Sequence, residues 1–133
     1  MEERSSNDNP RSRIQSRRIL VVDDNREAGD ALASLLRFMG YEVKAVYGGA
    51  ACVDGVQTFA PDTVVCDLSM PGTDGLEAAR QVRSSPLGRS VLLVALSGRT
   101  SPADVQNALA AGFDVHLPKP INVAALLDVI GCA

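Results

Sequence analysis

Five side chains in this 133-residue sequence suit the handling of a phosphoryl group, and each stands at or just past the end of a short apolar run. Asp23 and Asp24 follow Ile19-Leu20-Val21-Val22, and Asp67 follows Thr63-Val64-Val65-Cys66. Ser97 follows Val91–Leu96, and Lys119 stands just beyond Phe113–Leu117. Acids brought together repel one another, and a divalent cation relieves the repulsion. Mg²⁺ fits such a place because it takes a few carboxylate oxygens and keeps several waters. Ser97 could then hydrogen-bond one phosphate oxygen while Lys119 offers charge-assisted donors to another. Phosphoryl transfer needs little beyond this positioning and charge stabilisation. Asp67 is the best-placed nucleophile, held rigidly by a fully buried strand, which leaves Asp23 and Asp24 to the metal. The turn Ser69-Met70-Pro71-Gly72 would bend the chain away and leave a backbone carbonyl for the cation. An acid at a strand end often does no more than cap a helix. Capping accounts for one aspartate, but it does not call for doubled acids together with a lysine.

For these five positions to meet, the apolar runs must lie side by side. Continuous runs of this kind mark strands buried on both faces of a parallel sheet. Helical patterns alternate with them. Ala28, Ala31, Leu32, Leu35, Leu36 and Met39 form one stripe, closed by Gly40. Tyr41–Val46 reads as a strand, and Ala50–Phe59 as a helix weakened by Gly55 and ended by Pro61. A further helix is expected around Leu76–Arg83. Ser101-Pro102 with Asp104 is a helix start that runs to Ala111-Gly112, and Asn122 can cap a last helix through Ile130. Five strand–helix units in alternation predict an α/β domain with helices on both faces of a parallel sheet. Period alone does not set strand order. The flavodoxin-like doubly wound class implies the order 2-1-3-4-5, with ligands bound outside the carboxyl ends of the strands.

The length suits one domain, since domains most often run to roughly 100–150 residues. Met1–Arg17 is polar and Arg-containing and cannot bury enough apolar surface to offset its ordering entropy, so 1–17 reads as a disordered tail and 18–133 as the domain. A net charge of −3 and 4% aromatic residues supply neither the basic face nor the stacking platform that direct nucleic-acid binding uses. No apolar stretch reaches the roughly 18 residues of a membrane span. Cys52, Cys66 and Cys132 show no metal-like spacing with the single His116 and read as structural thiols, so a reducing, cytoplasmic setting is expected.

The residues Leu20–Asn25, Cys66–Gly75, Ala95–Gly98 and Leu117–Pro120 together resemble the response-regulator receiver family of two-component signalling. The likeness covers nearly everything after Arg17. It implies that Asp67 is the phosphoacceptor, and that Asp24, Asp67 and the Ser69 carbonyl hold Mg²⁺ directly while Asp23 acts through water. It implies that Ser97 moves toward the phosphoryl group, that Lys119 contacts it, and that Lys119–Pro120 is a cis peptide. The phosphoryl donor would be a histidine kinase or a histidine phosphotransfer protein. The output surface would span roughly Pro102–Ile130 and meet a downstream protein. One position departs from the family: His116 stands where it usually has Tyr or Phe as a rotameric switch, which adds a possible pH sensitivity. Ser69 and Arg99 occupy sites that flank the path of the hydrolytic water, where Arg99 could shield the phosphoryl group. The segment Ala111–Leu117 is also similar to receiver modules of hybrid sensor kinases, so a phosphorelay role fits as well as a single-domain regulator.

Three other functions fit these residues less well. A Mg²⁺-dependent phosphatase of the haloacid-dehalogenase type wants a second acid two residues after its nucleophile, where this chain has Ser69. A flavodoxin-like cofactor binder would need a phosphate cradle after the first strand, where two acids stand instead. A degenerate receiver would not keep all three acids, Ser97 and Lys119. A phosphorylation switch without enzymatic turnover of other substrates is the expectation.

Overall fold

The computed structural model describes residues 17–69 and 75–131. The expected tail up to residue 16, the turn Met70-Pro71-Gly72 and Cys132 lie outside the described residues. Strands β1 (Arg18–Val22), β2 (Glu42–Val46), β3 (Thr63–Asp67), β4 (Leu92–Ser97) and β5 (Val115–Pro118) pair in parallel in the order β2-β1-β3-β4-β5. Helices α1 (Arg26–Phe38), α2 (Ala50–Phe59), α3 (Gly75–Ser84), α4 (Pro102–Ala111) and α5 (Val123–Gly131) connect and flank them, with a 3₁₀ turn at Leu87–Arg89. The expected class and strand order are both present.

Side chains alternate across a strand, so each strand feeds two cores. Ile19, Val21, Val65, Val94 and Leu96 pack with Ala33 and Leu36 of α1 and Leu126 and Ile130 of α5. Leu20, Val22, Val64, Cys66, Leu93 and Ala95 pack with residues of α2, α3 and α4 on the other face. The three central strands, β1, β3 and β4, are buried on both faces, as their unbroken apolar runs require.

Local chemistry sets the element ends. Asn25 caps α1 by accepting the Ala28 N–H at 3.0 Å, and Asn122 caps α5 by accepting the Ala125 N–H at 3.1 Å. Ser101 accepts the Asp104 N–H at 3.1 Å and donates to the Asp104 carboxylate at 2.7 Å, with Pro102 in the first turn. Gly40, at φ +104°, closes α1: its N–H donates to the Arg37 carbonyl at 2.9 Å, and the Tyr41 N–H to the Leu36 carbonyl at 3.1 Å. This paired closure is the Schellman geometry.

Two expectations need correction. The stripe of α1 is rotated: Gly29, Ala33 and Leu36 are buried, whereas Ala28, Ala31 and Met39 are exposed. The cause is close approach, since a Cβ on Gly29 would lie 3.3 Å from Asp23 Cβ, and the helix turns its smallest residue toward the first strand's end. The last strand starts at Val115 rather than Phe113, because Phe113 still donates to Ala108 in the turn that closes α4. In α2, Gly55 is a packing residue as much as a weak helix former, since a Cβ there would meet Leu20 at 3.0 Å.

The left-handed turn after α1 generates a stability prediction. A side chain at Gly40 would meet no neighbour but would strain the backbone. Gly40→Ala is expected to lower the unfolding free energy by about 1–2 kcal/mol in urea titration, with helix content unchanged by circular dichroism.

Candidate functional site

At the carboxyl edge of the sheet the backbone pairing runs one step past the strands and fixes the residues that follow them. The Asp23 N–H donates to the Val46 carbonyl at 3.2 Å, the Leu68 N–H to the Leu96 carbonyl at 2.9 Å, and the Lys119 N–H to the Ser97 carbonyl at 2.9 Å. Five loops are thereby gathered at one edge. Carboxylate oxygens of Asp23, Asp24 and Asp67 lie within 4.8 Å of one another. Asp67 and Ser97 are buried, Asp23 is half-buried, and Asp24 is exposed.

Each acid is oriented separately. Asp67 Oδ1 accepts the Ser69 N–H at 2.9 Å and stands 2.8 Å from Lys119 Nζ. Asp23 Oδ1 accepts the Asn25 N–H at 2.9 Å. Burial pushes the Asp23 carboxyl above its ordinary value, and the negative charge of Asp67 adds to that rise. The Asn25 N–H and, more weakly, Lys119 oppose it. The pocket thus carries more negative charge than its single ammonium balances. It is short of one cation, and the three carboxylates fit a hard ion that takes oxygen ligands and keeps water.

The other expected residues sit as follows. Ser97 Oγ accepts the Arg99 N–H at 2.9 Å and donates to the Arg99 carbonyl at 3.3 Å, so its hydroxyl is engaged by its own loop. Ser69 and Arg99 are exposed beside the acids and the hydroxyl. The Lys119–Pro120 peptide is cis, as expected. His116 pairs in register with Ala95 and therefore shares the α4-side face with Ala95 and Ser97. Its Nε2 is buried with no hydrogen-bond partner among the described residues. Cys52 and Cys66 are buried free thiols; burial pushes Cys52 up to about 12 and Cys66 well above its usual value, which disfavours the reactive thiolate.

A rim beside the pocket was not foreseen. The Arg26 guanidinium lies 3.8 Å from the Tyr47 ring centroid, and the Tyr47 hydroxyl donates to Asp30. Arg26 and Asp30 fall on adjacent turns of α1, a spacing the sequence did contain. Tyr47 comes from the loop after β2, and nothing local links it to them.

The response regulator receiver domain model matches residues 19–131. The chain belongs to that family. It is a receiver domain of two-component signalling. Among curated relatives it is 40% identical over 110 residues to the response regulator MprA of Mycobacterium avium, covering 83% of this chain and 47% of that protein. The chain therefore spans about half the length of the curated relatives it matches. Among solved structures it resembles the receiver domain of sensor histidine kinase PA1611 of Pseudomonas aeruginosa, at 32% identity and a TM-score of 0.78, covering 86% of this chain and 93% of that one. That structure has a magnesium ion coordinated in its active-site cleft. It also resembles the Saccharomyces cerevisiae Ssk1 receiver domain, solved with the phosphotransfer protein Ypd1, at 29% identity and a TM-score of 0.80, covering 89% of this chain and 90% of that one.

The raised Asp23 carboxyl sets the sign of a metal and pH prediction. An acid more basic in the folded than the unfolded state stabilises the fold while protonated, and that contribution is lost as pH rises through the folded value. Metal-free Asp23→Asn is therefore expected to melt higher than the native chain near pH 7. The same substitution is expected to weaken Mg²⁺ binding roughly tenfold. In the native chain Mg²⁺ should bind less tightly as pH falls, because protonation of Asp23 competes with the cation. Calorimetric titration with Mg²⁺ at several pH values checks both directions.

Proposed function

We propose that this receiver domain accepts a phosphoryl group on Asp67 from the phosphohistidine of a histidine kinase or histidine phosphotransfer protein, and that the modification switches a protein-binding surface. The observation that carries the reading is the setting of Asp67: a buried carboxylate fixed by Ser69 N–H and Lys119 Nζ, within 4.8 Å of two further acids. The named relatives support the donor class, since one is the receiver of a sensor histidine kinase and another was solved with a phosphotransfer protein.

In this reading an Asp67 oxygen attacks phosphorus, the P–N bond to the donor imidazole breaks, and the imidazole leaves with the bond's electron pair and takes up a proton. The product is an acyl phosphate. Asp23, Asp24 and Asp67, with the Ser69 carbonyl, would hold Mg²⁺, which when bound supplies positive charge for the phosphoryl oxygens. Lys119 Nζ, already 2.8 Å from Asp67, supplies a second positive charge from the protein itself. Ser97 turns its hydroxyl from Arg99 to a phosphoryl oxygen. His116, on the same face and with a buried nitrogen that has no partner among the described residues, follows that movement and carries it to the surface around Pro102–Ile130.

The domain acts as a switch rather than as an enzyme that turns over other substrates. Ser69 supports this, because it stands where a haloacid-dehalogenase-type phosphatase carries its acid and cannot serve as a general acid at neutral pH. A cytoplasmic setting fits the free thiols of Cys52 and Cys66, and among the described residues no helix is long and apolar enough to cross a membrane.

Intact-mass analysis after incubation with acetyl phosphate tests the reading. A single phosphoryl adduct that requires Mg²⁺ and is absent in Asp67→Asn is expected. An unmodified native chain, or an adduct that survives in Asp67→Asn, would refute it.

A further inference from the structure

The acid pocket is short of positive charge, yet an arginine beside it stays out. Arg26 opens α1, two residues after Asp24 and three after Asp23, and is exposed. Its guanidinium lies over the Tyr47 ring, 3.8 Å from the centroid. Among the described residues no ion pair joins it to Asp23, Asp24 or Asp67. The charged groups that act on the Asp23 carboxyl are Asp67 and Lys119, and Arg26 is not one of them.

Ring and pocket are neighbours. A Cβ on Gly29 would lie 3.3 Å from Asp23 Cβ and 3.8 Å from Tyr47 Cε1, so the same point of α1 borders both. Arg26, Gly29 and Asp30 follow helical spacing and share one face of α1. A long arginine stem has many rotamers, and the acids two and three residues back are an alternative to the ring. Two features favour the ring. A planar guanidinium stacks on an aromatic face. The Tyr47 hydroxyl donates to Asp30, which aligns the ring along α1 and engages the carboxylate that would otherwise pair with the arginine one turn away.

The consequence concerns the metal. A guanidinium turned among the carboxylates would bond to the same oxygens that a hard cation uses, because its fork of donors matches them. Each moment spent there lowers the fraction of molecules able to bind the ion, and the apparent dissociation constant rises in proportion. We propose that Tyr47, aligned by Asp30, is a positioning residue that parks Arg26 outside the acid pocket and so keeps it from competing with Mg²⁺. The proposal rests on the three acids being the Mg²⁺ site. Tyr47 touches neither metal nor phosphoryl oxygen in this role and acts only through Arg26.

Calorimetric titration of Mg²⁺ into the full chain tests it. Asp30→Asn serves as the common background, so that a freed Asp30 carboxylate cannot hold the arginine in the tyrosine's place; the amide oxygen still accepts the Tyr47 hydroxyl. In that background Tyr47→Leu changes no charge, yet it is expected to raise the Mg²⁺ dissociation constant about tenfold, as when the competent fraction falls to about one-tenth. Adding Arg26→Gln is expected to restore binding to within about twofold of the background, the residual effect of one screened surface charge. A purely structural role for Tyr47 would leave that second substitution without effect, so the coupling between the two positions isolates the competition. A further arm uses the otherwise native chain and needs no Tyr47 variant to fold. Arg26→Lys keeps the charge without the planar stacking face and is expected to weaken Mg²⁺ binding, whereas Arg26→Gln is not. Unchanged binding in Tyr47→Leu, weakened binding that Arg26→Gln does not restore, or equal binding by the two Arg26 variants would overturn the positioning role and leave the metal site standing. A native chain that takes up no Mg²⁺ would overturn the metal reading of the acids and the positioning role with it.

Discussion

Three carboxylates within 4.8 Å of one another, facing a single ammonium, form an arrangement that the protein can tolerate only by constraint. Left to itself, such a cluster would spread apart or take up protons. Here it is held together by backbone. Asp23 is tied to β2 through Val46, the residue after Asp67 is tied to β4 through Leu96, and Lys119 is tied to β4 through Ser97. The electrostatic tension at the sheet edge is therefore resisted by the same hydrogen bonds that continue the sheet. A hard divalent cation, or the positive side chain of Lys119, relieves what remains.

That dependence explains why the centre of the molecule is so uniform. β1, β3 and β4 are buried on both faces and packed with Val, Leu and Ile, a dense interior that resists displacement of the strand ends. The parallel register puts Val22 beside Cys66, and Cys66 beside Ala95, so that Asp23, Asp67 and Ser97 emerge at adjacent levels. The lighter packing lies at the periphery. α4 carries little buried surface, its first turn is exposed, and its approach is held by a serine hydroxyl rather than by a strand ladder. A rigid receptor edge beside a lightly attached helix suits a module whose output is a change of surface.

Much of the site was legible because its residues obey two short-range rules. Buried parallel strands read as apolar runs, and chemistry in such sheets gathers where those runs end. Asp23, Asp24, Asp67, Ser97 and Lys119 could all be found that way, and the caps at Ser101 and Asn122 follow from local hydrogen bonding. The face of α1 was misread because Gly29 has no apolar side chain to count, and its burial comes from a close approach to Asp23. The Arg83–Asp114 pair was also invisible. The two residues are 31 positions apart, and each alone looks like an ordinary surface charge.

The sequence by itself determined the order of elements, their helix caps and which residue types stand at each strand end, because these depend on neighbours within a few positions. Only the tertiary structure decided how the ends meet. It set the 4.8 Å cluster, the 2.8 Å contact between Lys119 and Asp67, the burial of the His116 nitrogen and the pairing of Arg83 with Asp114. These are distances between segments far apart in the chain, and they depend on how the two cores pack against the sheet. A local pattern can name the participants. Their separations, and hence their electrostatics, exist only after the core has closed.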